Sequence, residues 1–529
     1  MSSFFARVWR YIEGVNGIVL ILYMSLVFAT NIYLYENLVP YLPVLVLLFV
    51  ALEIYLVPKV IRMVSKLQIA DGNLEDVNTH NPFVIKSLFY LLPFLVLLVY
   101  FIGYYPGGFT PDSRKQIIQA LTNEYSDWHP VIHTLIAFKL PLTLTNNWFG
   151  SIVLFQNICF SAVIGYSFNV ILEYTNRKYA FVTLLLLLLN PLIPYTLMFP
   201  HKDNAFAMGA VLLTVYCVRI YFSKGAWLKN NINLAAFVVT TAITTLLRHN
   251  ALLFTVPLAL VLLFYTSKKR FLVSCLAVVS LCLIIKIPVY SALNVEKPGK
   301  RQLETLGLPM NIISNAVATT PEALDEDILE FAYKILPEEN WPGCYSPGSF
   351  NTIKYSGDNQ VIEDYGTKKV LDMTARCFKE SPRASNVALI KITGVSYSVA
   401  DRYIDEAWIV TPRIYRNEFI HEGGVDSIQL VLLSYLLIIM KYLPHITMNI
   451  GILHLVMLVA SLSKCRLGIL KDWKKIIFII PAFAYNFAST LLLTEISDAG
   501  RYFIYTYFLL PVILLIYLDK KAVPEAKES

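Results

Sequence analysis

Apolar runs long enough to cross a bilayer recur along the whole chain, and they constrain it more than any other feature. They fall near 17–37, 40–58, 83–105, 148–172, 180–198, 204–222, 231–247, 250–266, 271–292, 446–463, 476–494 and 502–519, about twelve in all. A hydrocarbon core roughly 30 Å thick takes about 20 apolar residues of helix. Backbone polar groups inside it must pair within their own segment, so such runs fold as helices. Composition agrees: 56% of the residues are hydrophobic and 15% charged, against about 25% charged in an ordinary soluble domain. A soluble fold is excluded. The expected class is an all-α polytopic membrane protein of about 12 transmembrane helices. Two shorter apolar stretches, 131–145 and 427–443, read as re-entrant or interfacial. The first run, preceded by Arg7 and Arg10, is too long for a removable signal and has no small-residue cleavage site, so it reads as a retained span.

Sidedness follows from the lysines and arginines, because short basic loops stay in the cytoplasm. With both short stretches left uncrossed, one side holds 20 of them in its short segments, and the other holds only Arg114, Lys115, Lys139, Lys202, Arg248 and Arg501. Both termini are therefore expected to be cytoplasmic. The region 294–425 breaks the apolar pattern, with 19 Asp and Glu against 14 Lys and Arg, and reads as an extracytoplasmic mixed domain. It separates an N-terminal membrane module, 1–293, from C-terminal membrane helices, 426–529. Within it, PEALDEDILEFAYKIL reads as helix with Thr320 as its cap, and NWPGCYSPGSFNTIKYSGDN as loop. The net charge of +7 is scattered over connections, which implies no nucleic-acid partner. The seven cysteines form no CxxC pair, so there is no zinc framework. Pairing of Cys344 with Cys377 stays open.

The candidate chemistry lies in the outer loops. Residues 104–135, YYPGGFTPDSRKQIIQALTNEYSDWHPVIHTL, follow the third run, and the first outer loop spans 106–147. Pro106, Gly107, Gly108 and Pro111 give a tight exit, and Asp112 or Ser113 is placed to cap a short helix through Leu121. Glu124, Asp127, His129 and His133 follow within about twenty residues. A second cluster, His201, Lys202 and Asp203, falls on the same side, and Asp203 is either a functional carboxylate or an N-cap. Arg248, His249 and Asn250 interrupt an apolar hairpin, and Asp498 and Arg501 occupy the last outer loop. Guanidinium beside a membrane is costly unless an anion meets it, and a phosphate at the outer leaflet is one such anion. A snorkelling or salt-bridged base is the plainer alternative for each.

The run PGGFTPDSRKQ followed by DWHP, with a later KD at a span start and an RHN hairpin, resembles the GT-C superfamily of polytopic glycosyltransferases. The resemblance is nearest to an uncharacterised bacterial branch whose first outer loop carries a PGG, DS, Q, HP pattern. Protein mannosyltransferases and the aminoarabinose transferases of lipid A are better-known relatives. The chain lacks the adjacent acidic pair that many of them carry. The resemblance covers the first 250 residues, and the C-terminal third only through Asp498 and Arg501.

The resemblance implies transfer of a sugar from a polyprenyl-phosphate donor to a cell-envelope glycan, lipid or protein, at the outer face of a bacterial cell membrane. Such transfer needs a base for the acceptor hydroxyl and cations for the departing phosphate. Asp112 is the expected base. Asp203 and His129 are the expected orienting groups, or with Asp112 the ligands of a possible divalent cation. Lys202, Arg248 and Arg501 are the expected phosphate binders, with Arg114, Lys115 and His201 alongside. A transporter or flippase of a lipid-linked saccharide is the competing reading, although its ionisable groups would be expected near the midplane. A non-catalytic scaffold is the third.

Overall fold

The computed structural model describes residues 14–66, 82–297, 303, 305–345, 348–400, 418–419, 423–465 and 476–518. Both chain termini and the basic stretch 466–475 lie outside these, as does much of 401–422. The described residues form a helical membrane protein with no β-strand beyond isolated bridges. Six helices are long and apolar enough to cross a bilayer: Gly14–Tyr33, Glu36–Lys66, Phe83–Gly103, Gly150–Ile171, Lys202–Phe222 and Lys268–Ala292. A seventh is obtained if Ile496–Tyr502 and Ile504–Tyr517, bent by 45°, count as one.

The other expected runs are shorter or broken. The run 180–198 divides at Asn190 and Pro191 into Arg177–Leu189 and Leu192–Leu197, since proline has no amide hydrogen to continue a helix. The runs 231–247, 250–266 and 476–494 become helices Asn231–Leu247, Leu252–Leu262 and Ile480–Thr490. The stretch 131–145 is helical over Val131–Leu144, with a π-helical turn at Thr134–Lys139. The stretch 427–443 becomes helix Asp426–Tyr442.

Helix Lys202–Phe222 is the hub. It packs against Gly150–Ile171, Asn231–Leu247 and Ile504–Leu518, and Phe206 meets Tyr485 and Tyr505 in a buried aromatic group. Helix Lys268–Ala292, by contrast, has few buried residues along its apolar length and packs mainly on Asn231–Leu247, so it is a peripheral helix.

The polar region departs from its expected mixed character. Its described residues are helical, with Gly307–Thr319, Glu326–Ile335, Asn359–Glu380 and Pro382–Thr393 packed on one another. Thr320 caps nothing with its side chain; its hydroxyl instead bonds Ser381 at 2.5 Å, and the acidic helix starts later, at Glu326. The stretch expected as loop contains the short helices Trp341–Cys344 and Asn351–Ser356. Cys344 and Cys377 are both free thiols.

This helical layer grips the loop that precedes the last helix. The Phe350 amide donates to Thr494 at 2.8 Å, and the Ile496 amide to Gly348 at 3.0 Å. Asn351 Nδ2 reaches Glu495 Oε2 at 2.6 Å. Gly348 has φ +86, and a Cβ there would meet Ile496 at 2.3 Å, so the grip requires glycine.

Candidate functional site where the loops meet the helix ends

The PGG exit is shaped by close packing. A Cβ on Gly107, whose φ is +123, would meet Val153 at 2.3 Å, and one on Gly108 would meet the Phe199 ring at 2.0 Å. The Gly108 amide donates to Met198 at 2.9 Å. Helix Pro111–Thr122 then begins with Thr110, not Asp112 or Ser113, as its cap: the Thr110 hydroxyl accepts from the Ser113 amide at 3.4 Å, with Pro111 at the first position. Ser113 Oγ donates to Pro200 at 2.9 Å, fastening the helix start to the turn that carries His201 and Lys202. The Asp112 carboxylate is thus free of capping and turned toward that turn.

Asp112 is one third exposed, and its Oδ2 lies 3.2 Å from Arg501 Nη1. Arg501 Nη2 holds Asp498 at 2.8 Å, and its buried Nε has no hydrogen-bond partner. On the other side His129, almost fully buried, places Nε2 at 3.8 Å from Asp112 Oδ1. Lys202 Nζ lies 3.4 Å from His129 Nδ1. An ammonium only donates, so Nδ1 accepts and the imidazole proton sits on Nε2, facing Asp112.

Electrostatics fix the protonation states. Burial pushes the Asp112 carboxyl up, but the Arg501 guanidinium, with His129 and Lys202 behind it, outweighs burial and holds it well below the usual carboxylate range. Burial, aided by the Lys202 ammonium, pushes His129 down to about 3 against the pull of Asp112. His201 is likewise pushed down to about 4, by burial and then by Arg501. At neutral pH the site holds an ionised carboxylate and neutral imidazoles.

Asp203 and Arg248 form a second pair, at 2.8 Å, with 1% and 4% of their side chains exposed. Arg248 also donates to the Tyr485 hydroxyl and stacks over the Tyr502 ring at 3.9 Å. Arg501 approaches the same ring at 5.4 Å. Tyr502 therefore stands between two guanidinium groups and offers each its π face. Asp203 lies in the first turn of its helix, whose N-cap, His201, makes no side-chain cap bond. Asn204 Nδ2 holds the preceding turn through Phe199 at 2.9 Å and Thr196 at 3.2 Å.

The remaining candidates lie apart. Arg114 leaves the cluster for a two-pronged contact with Glu418, 2.6 Å to each oxygen. Lys115 and Glu124 are exposed. Asp127 pairs with Lys286 at 2.9 Å, and His133 is buried with its Nδ1 2.7 Å from Gln116 Oε1. Among the described residues no three His, Cys, Asp or Glu side chains converge as a metal-holding group. Asp112, Asp203 and His129, compatible as ligands by type, do not form one.

Beside the cluster an apolar groove of about 530 Å³ runs between helices Asn231–Leu247, Leu252–Leu262 and Lys268–Ile284. Val256, Leu260, Phe271 and Val279 line its length, and Arg248, His249 and Lys286 are its basic residues. Asp112 and Asp203 are not part of its lining, so of the two Asp–Arg pairs only Arg248 reaches the groove. Tyr485, Tyr502, Lys286 and the groove were missed by sequence reasoning. Only Lys286, a lone base in an apolar run, left a signal.

Fold and site together define a helical membrane protein with an ionised cluster where its loops meet the ends of its helices. Residues 120–381 match the model of a family of unknown function (DUF6020). That stretch includes His129, His201 to Asp203 and Arg248, but neither Asp112 nor Arg501. No curated protein and no solved structure matches the chain.

Proposed function

We propose that the protein is a GT-C-like glycosyltransferase that moves a sugar from a polyprenyl-phosphate donor to a cell-envelope glycan, lipid or protein at the outer face of a bacterial membrane. In this reading the chain crosses about twelve times, with some crossings made by shorter or broken helices. Both termini are cytoplasmic and the helical layer 303–400 is outside. The observation that carries the reading is the partly exposed Asp112 carboxylate, held ionised by Arg501 and flanked by His129 and Lys202. The adjoining groove suits an isoprenoid chain.

Asp112 takes the proton of the acceptor hydroxyl as that oxygen bonds to C1 of the sugar. The bond from C1 to the phosphate oxygen breaks, and the phosphate leaves with the electron pair. Displacement in one step inverts C1. A carboxylate this acidic is a modest base, effective once the acceptor oxygen has begun to bond and its proton has become acidic. Lys202 and Arg501 meet the charge that grows on the phosphate. Arg248, sealed against Asp203, supports the floor of the site. The test is consumption of polyprenyl-phosphate sugars by the purified protein in lipid nanodiscs, with release of polyprenyl phosphate expected. A panel of such donors left intact in the presence of envelope extract would contradict the reading.

A further inference from the structure

The loop that carries His129 is fastened to the helix that walls the groove. Asp127 accepts from Lys286 Nζ at 2.9 and 3.1 Å, and from the Tyr290 hydroxyl at 3.1 Å. The same hydroxyl accepts from the Val131 amide at 3.3 Å, so Tyr290 brackets His129 from both sides. The Asp127 amide donates to Glu296 at 3.0 Å, and the Glu296 amide to Tyr125 at 2.8 Å. Tyr125, Val131 and Tyr290 form a small buried apolar cluster beneath. His129 is thus the middle of a short arch whose two feet stand on 285–296.

Lys286 belongs to the groove as well as to the arch. It lies in a π-helical turn, Ile285–Val289, a distortion frequent at functional positions. Its side chain lines the groove and is one third exposed, so an anion arriving there reaches its ammonium. We propose that Asp127 is a positioning residue, and that the Asp127–Lys286 ion pair reports the filling of the groove by an anionic prenyl lipid to His129. This rests on the reading that the groove takes the donor chain. A phosphate headgroup shares Lys286 with Asp127, the hold on the arch relaxes, and His129 moves relative to Asp112 and Lys202. The arm of the site is then set by whether donor is present.

Hydrogen–deuterium exchange on the full-length protein in nanodiscs tests this. Without added prenyl lipid, Asp127→Asn and Lys286→Met should each speed exchange across 125–131 by about tenfold, as for loss of a local clamp. Helix Gly150–Ile171 should be unaffected, and the charge-exchanged double variant Asp127→Lys with Lys286→Asp should recover much of the protection. Adding a long-chain polyprenyl phosphate to wild type should speed exchange in 125–131, and the neutral polyprenol of equal length should not. Unchanged exchange in Asp127→Asn overturns the clamp. Lipid phosphate that binds by native mass spectrometry without altering 125–131, or polyprenol acting equally, overturns the coupling. If no polyprenyl phosphate binds, the donor reading falls and the coupling with it, whereas the clamp is decided by the lipid-free comparison.

Discussion

Two Asp–Arg pairs stand within one cluster and differ chiefly in exposure. Asp203 and Arg248 show 1% and 4% of their side chains to solvent, Asp112 and Arg501 34% and 29%. The first pair is covered by Tyr485 and Tyr502 and almost closed to solvent. The second is open on one side, and its arginine retains an unpartnered Nε. Under the proposed function, like pairs serve unlike ends: the sealed one ties the start of helix Lys202–Phe222 to the end of helix Asn231–Leu247, and the open one is the pair that would meet substrate.

The largest expected effect breaks the sealed pair. Arg248→Met leaves the Asp203 carboxylate buried without its ion-pair partner, which costs about 3–5 kcal/mol. Thermal unfolding in detergent should show a large loss of Tm, or failure to insert. A variant as stable as wild type would mean that Asp203 has another partner. Next comes Arg501→Ala, which removes a cation from the open pair. Transfer should lose about 2–4 kcal/mol of transition-state stabilisation, seen in kcat/KM, with a far smaller change in Tm than Arg248→Met. Equal changes in Tm would erase the distinction.

The pH dependence sharpens the comparison from another side. His129 and His201 have folded pKa values of about 3 and 4, below the ordinary value near 6.5. The unfolded chain therefore binds more protons between those limits, and stability should fall as pH drops below about 6.5, by at most about 1.4 kcal/mol per pH unit for each imidazole. Asp112, also depressed, adds a loss of the same sign only below the ordinary carboxylate range. Between pH 7 and 9 none of the three titrates, so Tm measured there should be flat with respect to them. A stability maximum near pH 5 would contradict the buried, neutral imidazoles. The smallest effect belongs to the exposed Arg114–Glu418 pair: Glu418→Gln should leave Tm and transfer unchanged within error, because solvent screens such pairs.

These residues also show what a sequence makes legible. The apolar runs announced a helical membrane protein, and Asp112, His129, Lys202 and Arg501 were each visible as ionisable groups beside a span. Their pairing was not, because Asp112 and Arg501 are 389 residues apart and no periodicity links them. The cap was misplaced by two or three residues because Pro111 takes the first helical position, which makes Thr110 the boundary. The run 180–198 stays apolar on either side of Asn190 and Pro191, so its hydropathy does not show the break that divides it into two helices. The Lys286–Asp127 tie was hidden for the same reason as the arginine pairs, being a contact across 159 residues.

The central claim is that Asp112 does chemistry and Asp203 holds structure, and one substitution measured two ways addresses it. Asp112→Asn preserves size but cannot take a proton, so transfer from a polyprenyl-phosphate sugar should fall by about 10²–10⁴, while Tm stays close to wild type and well above that of Asp203→Asn. Transfer by Asp112→Asn at the wild-type rate, or a loss of Tm matching that of Asp203→Asn, would contradict it.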